Sequence, residues 1–334
     1  MSVEIILRKY YPNLLYSKIK KNDKCYTHNV YTIFGCSNEK YILKVKDTFK
    51  HIISKNNMQI IENLFHRDLI FANKIVGKCT SKYFHICDKE IYLEEYLNYN
   101  QKSKKELTEK DVENLGEMLS KIHGKLNKNI FLFRKVNRIK SIIEEDYLRC
   151  SNLLKDLKLN EKKGIDYYTR LNYNEIKNNI LIYKNNISSI TCNYNQVNHG
   201  DYYLPNIFFD KSKVCSVIDW DDLHLGNNIY ELLRAINYIF VPDENGGLNQ
   251  EHGKIFIAHY LKNSKIKYNN SLIIKGIEMF KIHRSIDSRL LYNKFVLEDS
   301  RSDIFLKQNY LFLKWLKNIS VNDLIDMYFY EIID

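Results

Sequence analysis

No C-x-x-C pair occurs among the seven cysteines of this 334-residue chain: Cys25, Cys36, Cys79, Cys87, Cys150, Cys192 and Cys215. They are odd in number and widely spaced, which indicates neither a disulfide framework nor a zinc site. No run approaches the ~18 uninterrupted apolar residues of a membrane-crossing helix. The opening M-S-V-E-I-I-L-R-K has an early acidic residue and too short an apolar run for a signal peptide. These absences lead us to expect a reduced, soluble, cytoplasmic protein without a membrane partner. There is no G-x-x-x-x-G-K-[ST], which argues against a P-loop enzyme. There is no G-x-G-x-x-G, which argues against a nicotinamide-binding Rossmann domain. The lysines contain no block of five or more, so the charge of +11 reads as a scattered, solvated basic surface. A nucleic-acid partner would need a clustered basic stripe with interleaved aromatics, and none is evident.

What is present is enough apolar material, 45% of residues, for a packed core. Length allows one large domain or two lobes. The most informative stretch is Val197 to Asp222, V-N-H-G-D-Y-Y-L-P-N-I-F-F-D-K-S-K-V-C-S-V-I-D-W-D-D. A short loop there carries His199, Asp201 and Asn206. Two β-rich runs follow, Asn206–Asp210 and Val214–Trp220, joined by the turn-like D-K-S-K. A hairpin returns its second end to its first. The Asn206 amide oxygen and the Asp219 carboxylate should therefore meet beside Asp201. Magnesium takes one or two carboxylates plus substrate phosphates, so that end of the hairpin suits it. Asp201 would then orient a hydroxyl. The competing reading is a polar loop and a hairpin with an exposed acidic end.

The spacing of His199, Asp201 and Asn206 follows the kinase catalytic loop H-R-D-x-x-x-x-N, with a metal-binding Asp at the end of the next strand pair. The H-G-D form, with I-D-W in place of D-F-G, resembles the aminoglycoside phosphotransferase and choline kinase family. These small-molecule kinases share the protein-kinase fold. The resemblance implies an α+β, protein-kinase-like bilobal fold, with an antiparallel β-sheet N-lobe over residues 1–97 and a mainly α-helical C-lobe over 98–334. It implies ATP and Mg2+ as cofactors and transfer of the γ-phosphoryl group to a hydroxyl of a small molecule. Asp201 would be the catalytic base, Asn206 and Asp219 the metal ligands, and His199 a structural loop residue. The rival class is a non-catalytic kinase-fold binding or spore-coat-type protein.

Upstream, Asn29–Gly35 and Lys40–Lys46 are β-rich runs joined as a hairpin, and a helix is expected over Asn57–Leu69. Lys44 sits inside Y-I-L-K-V. A lysine there needs an anionic partner if buried, and faces water if the strand is at an edge. The resemblance makes Lys44 the lysine that reaches ATP phosphates and Glu62 its helical partner; otherwise Glu62 is an exposed helical glutamate. Lys82–Cys87 and Glu90–Leu97 read as strands. The second resembles the hinge strand, where backbone groups of Glu95, Tyr96 and Leu97 would bind adenine. The kinase glycine-rich loop is missing, with Gly35 alone in its place.

A polar stretch at Asn98–Lys105 marks the lobe boundary. Thr108 with Asp111 opens a helix in the manner of a capping box, and Val112, Leu115, Leu119, Ile122 and Leu126 give it an apolar face. His123 reads as a packed or capping histidine. Residues 136–186 read as helical. Asn227–Phe240 reads as a buried helix, and the resemblance implies that Glu231 near its start braces the catalytic loop, in place of the usual Asp. Val241–Gly253 reads as a loop. Lys281, His283, Arg284 and Arg289 read as a solvated basic face or as contacts to an anionic substrate. Asp221, Asp222, Trp220, Tyr202 and Tyr203 are the acidic and aromatic residues that would wall a cationic acceptor.

Overall fold

The alternation of residues in the N-terminal β-rich runs decides which side chains meet. In β2 (Asn29–Gly35) and β3 (Lys40–Asp47), Ile33, Leu43 and Val45 point to one face and are buried, while Lys44 and Lys46 take the other. In this computed structural model these strands join β1 (Tyr16–Lys21), β4 (Lys74–Ile75), β5 (Phe84–Ile86) and β6 (Lys89–Glu95) in one antiparallel sheet, with order β1-β2-β3-β6-β4 and β5 also against β6. The structure describes residues 2–22, 29–47, 55–72, 74–75, 84–86, 89–133, 137–156, 167–186, 196–264, 266, 268–296, 298 and 302–330. Cys25, Cys79, Cys87 and Cys192 lie outside these, as do the ends of the expected strand Lys82–Cys87.

Two helices accompany the sheet where one was expected. α1 (Val3–Tyr10), capped by the Ser2 side chain, carries Ile6 and Leu7 into a core with Ile33, Leu43, Val45, Ile91 and Leu93. The Leu93 N–H donates to the Tyr11 hydroxyl at 3.1 Å. The sequence reading missed α1 because its eight residues are too short to show a firm period. α2 (Lys55–Phe65) is shorter than Asn57–Leu69 at its C-terminal end. It buries Ile61 and Phe65.

The remaining elements are mainly helical. They are α3 (Glu109–Lys128), β7 (Asn137–Arg138), α4 (Ile139–Asp156), α5 (Tyr167–Asn186), β8 (Gln196–Asn198), β9 (Ile207–Asp210), β10 (Lys213–Val217), β11 (His224–Gly226), α6 (Asn228–Ile239), α7 (Gln250–Asn263), α8 (Asn270–Ser285), α9 (Arg289–Phe295), α10 (Ser302–Asn318) and α11 (Val321–Tyr328). The Thr108–Asp111 capping box is formed, and all five expected apolar positions of α3 are fully buried. Each such side chain contributes about 1.5–3 kcal/mol of transfer free energy. Gly116 lets α3 approach α7 closely, since a Cβ there would fall 2.3 Å from the Phe256 carbonyl oxygen. Val241–Gly253 is helical from Gln250 onward, because the Asn249 side chain accepts the His252 N–H and caps α7.

The chain divides into two compact units. One comprises Met1–Asn100 with Cys215–Asp222, the other Gln101–Val214 with Leu223–Asp334. β9 and β10 pair as a hairpin turning through Lys211, at φ 56°, and the division falls within β10. No helix among the described residues is long and apolar enough to cross a membrane.

Candidate active site

In the larger unit the residues around Asp201 are held by one buried carboxylate. Gly200 stands at φ 88°, a left-handed conformation that glycine adopts without steric cost. This turn aims the N–H groups of His199 and Gly200 at Glu231, which accepts both, the first at 3.1 Å. Glu231 sits in the first turn of α6, 2% exposed. Its Oε2 also lies 2.6 Å from His123 Nε2, and His123 Nδ1 lies 2.8 Å from the Tyr260 hydroxyl. An ionised carboxylate only accepts, so Nε2 is the protonated nitrogen. Burial alone would raise the Glu231 pKa. The hydrogen bond and charge of His123, with the nearby His199 and His224 rings, outweigh that and hold it at about 2. His123 is thus a packed histidine, as its place on the buried face of α3 suggested. Its partner, 108 residues away, was not legible.

Within the loop, Asp201 N–H donates to His199 Nδ1 at 3.1 Å. Asn206 lies in a 3-10 turn, Leu204–Asn206, one residue ahead of the strand it was expected to start. Its Nδ2 donates to the Asp201 carbonyl at 3.0 Å and to Asp201 Oδ2 at 2.9 Å. The group Asn206 can offer a cation is therefore the amide oxygen. Arg234 of α6 lies 3.7 Å from Asp201 Oδ1.

In the smaller unit Lys44 and Lys46, two residues apart on β3, line a pocket with Glu62, Tyr92, Asp219 and Asp221. The expected pairing of Lys44 with Glu62 is not formed. Lys44 pairs with Glu94 at 2.7 Å and Glu62 with Lys74 at 3.1 Å. The reason is register: Glu94 is two residues along β6 from Tyr92, the residue opposite Lys44, so it lies on the same face. The lysine that meets Asp219 is Lys46, at 3.7 Å, and Lys46 also pairs closely with Asp221. Burial opposes the charge on both lysines. For Lys44 the Glu94 carboxylate outweighs it, and for Lys46 the surrounding Tyr92, Asp221 and Asp219 do, so both titrate above an ordinary lysine. Asp221 is raised by burial and by Asp219 beside it, against the pull of Lys46.

Asp219 stands beyond β10, which ends at Val217, and has φ 63°. Left-handed backbone is uncommon outside glycine and is a form of strain that clusters at functional sites. Trp220 is 2% exposed, stacks 5.5 Å from Phe65, and donates to the Val217 carbonyl. Tyr202 is equally buried and donates to the Leu115 carbonyl. Neither is a wall for a cationic acceptor, because the backbone around each turns the ring into the core. The Tyr96 N–H donates to the Lys40 carbonyl at 3.0 Å, so it is not available to read a base. Asp201 and Asn206 belong to the larger unit, while Lys44, Glu62, Glu95–Leu97 and Asp219 belong to the smaller.

His283 and Arg284 are buried and so do not belong to a solvated basic face, whereas Arg289 is half exposed. His283 lies 2.7 Å from Asp146 and 2.6 Å from the Tyr230 hydroxyl. Arg284 and Arg289 both pair with Asp287.

Residues 193–261 match the Phosphotransferase enzyme family (APH). No curated protein matches the chain by sequence. Several solved structures match it by fold. The amicoumacin kinase hAmiN, in complex with AMP-PNP, Ca2+ and Ami, aligns at TM-score 0.66 and 13% identity over 97% of each chain. Spectinomycin phosphotransferase APH(9)-Ia, with ADP and spectinomycin, aligns at 0.60 and 14% over 98% of this chain and 97% of that one. The Plasmodium vivax ethanolamine kinase aligns at 0.57 and 16% over 90% and 82%. Residues 193–261 thus carry the match to the phosphotransferase enzyme family, and the chain as a whole shares the protein-kinase-like α+β fold of these solved structures.

Proposed function

We propose that the protein transfers the γ-phosphoryl group of ATP, with Mg2+, to a hydroxyl of a small molecule. The observation that carries this is the H-G-D segment inside the family match, held by Glu231, with Asn206 fixed on Asp201. The nucleotide fits the pocket of the smaller unit, where two buried, charged lysines can meet phosphate oxygens. The metal fits as well. Asp219 and Asp221 set two carboxylates against Lys46, and hard oxygen donors with surplus negative charge suit magnesium. Among the described residues no group of three or more His, Cys, Asp or Glu gathers as a self-contained metal centre, and magnesium held partly by phosphates needs none.

When bound, magnesium ATP supplies the electrophilic phosphorus and neutralises charge on the phosphate oxygens. Asp201 orients the acceptor hydroxyl and takes its proton. Asn206 fixes that carboxylate through Nδ2 and keeps Oδ1 as an oxygen donor for a metal in the larger unit; in the smaller unit the Asp219 carboxylate is the metal ligand. Lys46, the lysine against Asp219, and Lys44 neutralise phosphate charge. Glu62 acts on the site through Lys74. Backbone groups of Glu95 and Leu97 line the adenine. The thiols of Cys36 and Cys150 accord with a reducing, cytoplasmic setting.

The test is thermal denaturation with and without millimolar magnesium ATP, followed by an ATP-consumption screen over hydroxyl acceptors. A ligand that binds only the native state raises Tm by mass action. No rise with magnesium ATP, together with no acceptor-dependent turnover, would reject the assignment.

A further inference from the structure

Three guanidinium groups converge on the Tyr238 ring in the larger unit. Arg234, Arg284 and Arg289 lie 5.5, 5.1 and 5.6 Å from its centre. The ring is also 6.3 Å from that of Tyr203, two residues beyond Asp201. Asp287 accepts hydrogen bonds from two of these arginines, Arg284 and Arg289. It takes Arg289 Nε through both oxygens at 3.1 Å, Arg289 Nη2 at 3.0 Å, and Arg284 Nη1 closely. Arg284 and Arg289 also donate to the Tyr238 hydroxyl. The nearby Asp146 is engaged by His283.

Arg234 differs from the other two in making no hydrogen bond to Asp287, although the Arg284 Nε is likewise without a partner among the described residues. The Arg234 side chain is 9% exposed, yet its Nε has no hydrogen-bond partner among the described residues, and its ion pair with Asp201 spans 3.7 Å, too far for a hydrogen bond. A buried guanidinium with unmade hydrogen bonds is unfavourable, and an incoming anion would complete it. Arginine presents a planar fork suited to a carboxylate or phosphate.

We propose that Arg234 and Arg289, set around Tyr238, receive an anionic carboxylate or phosphate group of the acceptor, whose hydroxyl then lies at Asp201. The acceptor class is an anionic hydroxy compound, such as a hydroxy acid or a phosphorylated polyol. This places a substrate class on the site proposed above and takes the role of Asp201 from that reading. Arg284 and Arg289 share Asp287 and Arg234 has Asp201 at 3.7 Å, so the discrimination rests on geometry: planar donor forks accept a carboxylate or phosphate and offer an ammonium group no acceptor.

The experiment follows Tm of the full chain against D-glycerate, glycerol 3-phosphate and inorganic phosphate. Glycerol and ethanolamine serve as uncharged and cationic controls, and sodium chloride controls for ionic strength. The anions should raise Tm at concentrations where the controls do not. The larger response of glycerate or glycerol 3-phosphate tells carboxylate from phosphate. Arg289→Gln, at a half-exposed side chain, should fold normally and require at least tenfold more anion for the same shift, and Arg289→Lys should fall between. Arg234→Gln should lose the response wherever it folds. An anion shift no larger than that of sodium chloride would overturn the proposal. So would a shift unchanged in Arg289→Gln, which would place the anion elsewhere, or a preference for ethanolamine. Magnesium ATP in the same assay keeps the readings separate. Loss of its shift alone counts against the kinase assignment, whereas loss of the anion shift alone counts against this one.

Discussion

In the smaller unit the ammonium groups of Lys44, Lys46 and Lys74 each lie 5.6 Å from the centre of the Tyr92 ring. In the larger unit three guanidiniums surround Tyr238 at 5.1 to 5.6 Å. The rings play the same part, but the balance of charge differs. Each lysine has its own carboxylate: Glu94 for Lys44, Asp221 and Asp219 for Lys46, Glu62 for Lys74. Two of the arginines share Asp287, and among the described residues Arg234 has Asp201 at 3.7 Å as its ion-pair partner. A compensated cluster of compact charges can accept phosphates together with a metal without a large change in local charge. A cluster of planar forks with an unmet donor suits a single carboxylate or phosphate group. Lysine against arginine, and paired against unpaired, is the contrast to expect between a cofactor pocket and an acceptor pocket.

The comparison breaks most visibly at Asp201, the carboxylate beside the arginine cluster. Asp201→Asn should lower kcat by roughly 10²–10⁴-fold and leave the KM for ATP nearly unchanged, because the lysine cluster is untouched. Steady-state kinetics on the first acceptor identified will decide, and a wild-type rate would remove Asp201 from the mechanism.

Glu231, one helical turn before Arg234, sharpens the contrast from the other side, since it is fully engaged where Arg234 is not. Its folded pKa of about 2 lies below the ordinary 4.5, so its contribution is complete above 4.5 and lost as pH falls through 2. Linkage makes that contribution about 3 kcal/mol. Denaturant melts across this range should show the loss in the wild type, and Glu231→Gln should lack that part of the slope. An identical slope in the variant would assign the acid sensitivity to other carboxylates.

Within the lysine cluster the effects should be graded. Lys46→Ala, which strands Asp221 and Asp219, should weaken magnesium ATP roughly tenfold, the loss expected for a charge-assisted hydrogen bond. Lys44→Ala should weaken it less. Lys74→Ala, whose partner Glu62 is a third exposed, should change the apparent Kd by about twofold or less. Calorimetric titration of the three variants gives the order directly, and a larger effect at Lys44 than at Lys46 would restore the assignment made from the sequence.

Local chemistry determined much of what could be read from the chain alone. The H-G-D spacing to Asn206, the capping box at Thr108, the apolar face of α3 and the turn at Lys211 are set by residues within a few positions of one another, and each was legible. The helices α4, α5 and α6 were legible in the same way, whereas Asn137–Arg138, expected to be helical, forms the short strand β7 and residues 157–166 lie outside the described ones. Only the tertiary structure decided that Lys46 meets Asp219, because sheet register, not strand composition, chooses among lysines on one face. Only it joined His123 to Glu231, and Arg234 and Tyr238 to Arg284, Asp287 and Arg289. His123 and Glu231 are 108 residues apart, and Tyr238 is 46 and 51 residues from Arg284 and Arg289. A buried charge is read from its neighbours, and those neighbours are brought to it by packing rather than by sequence.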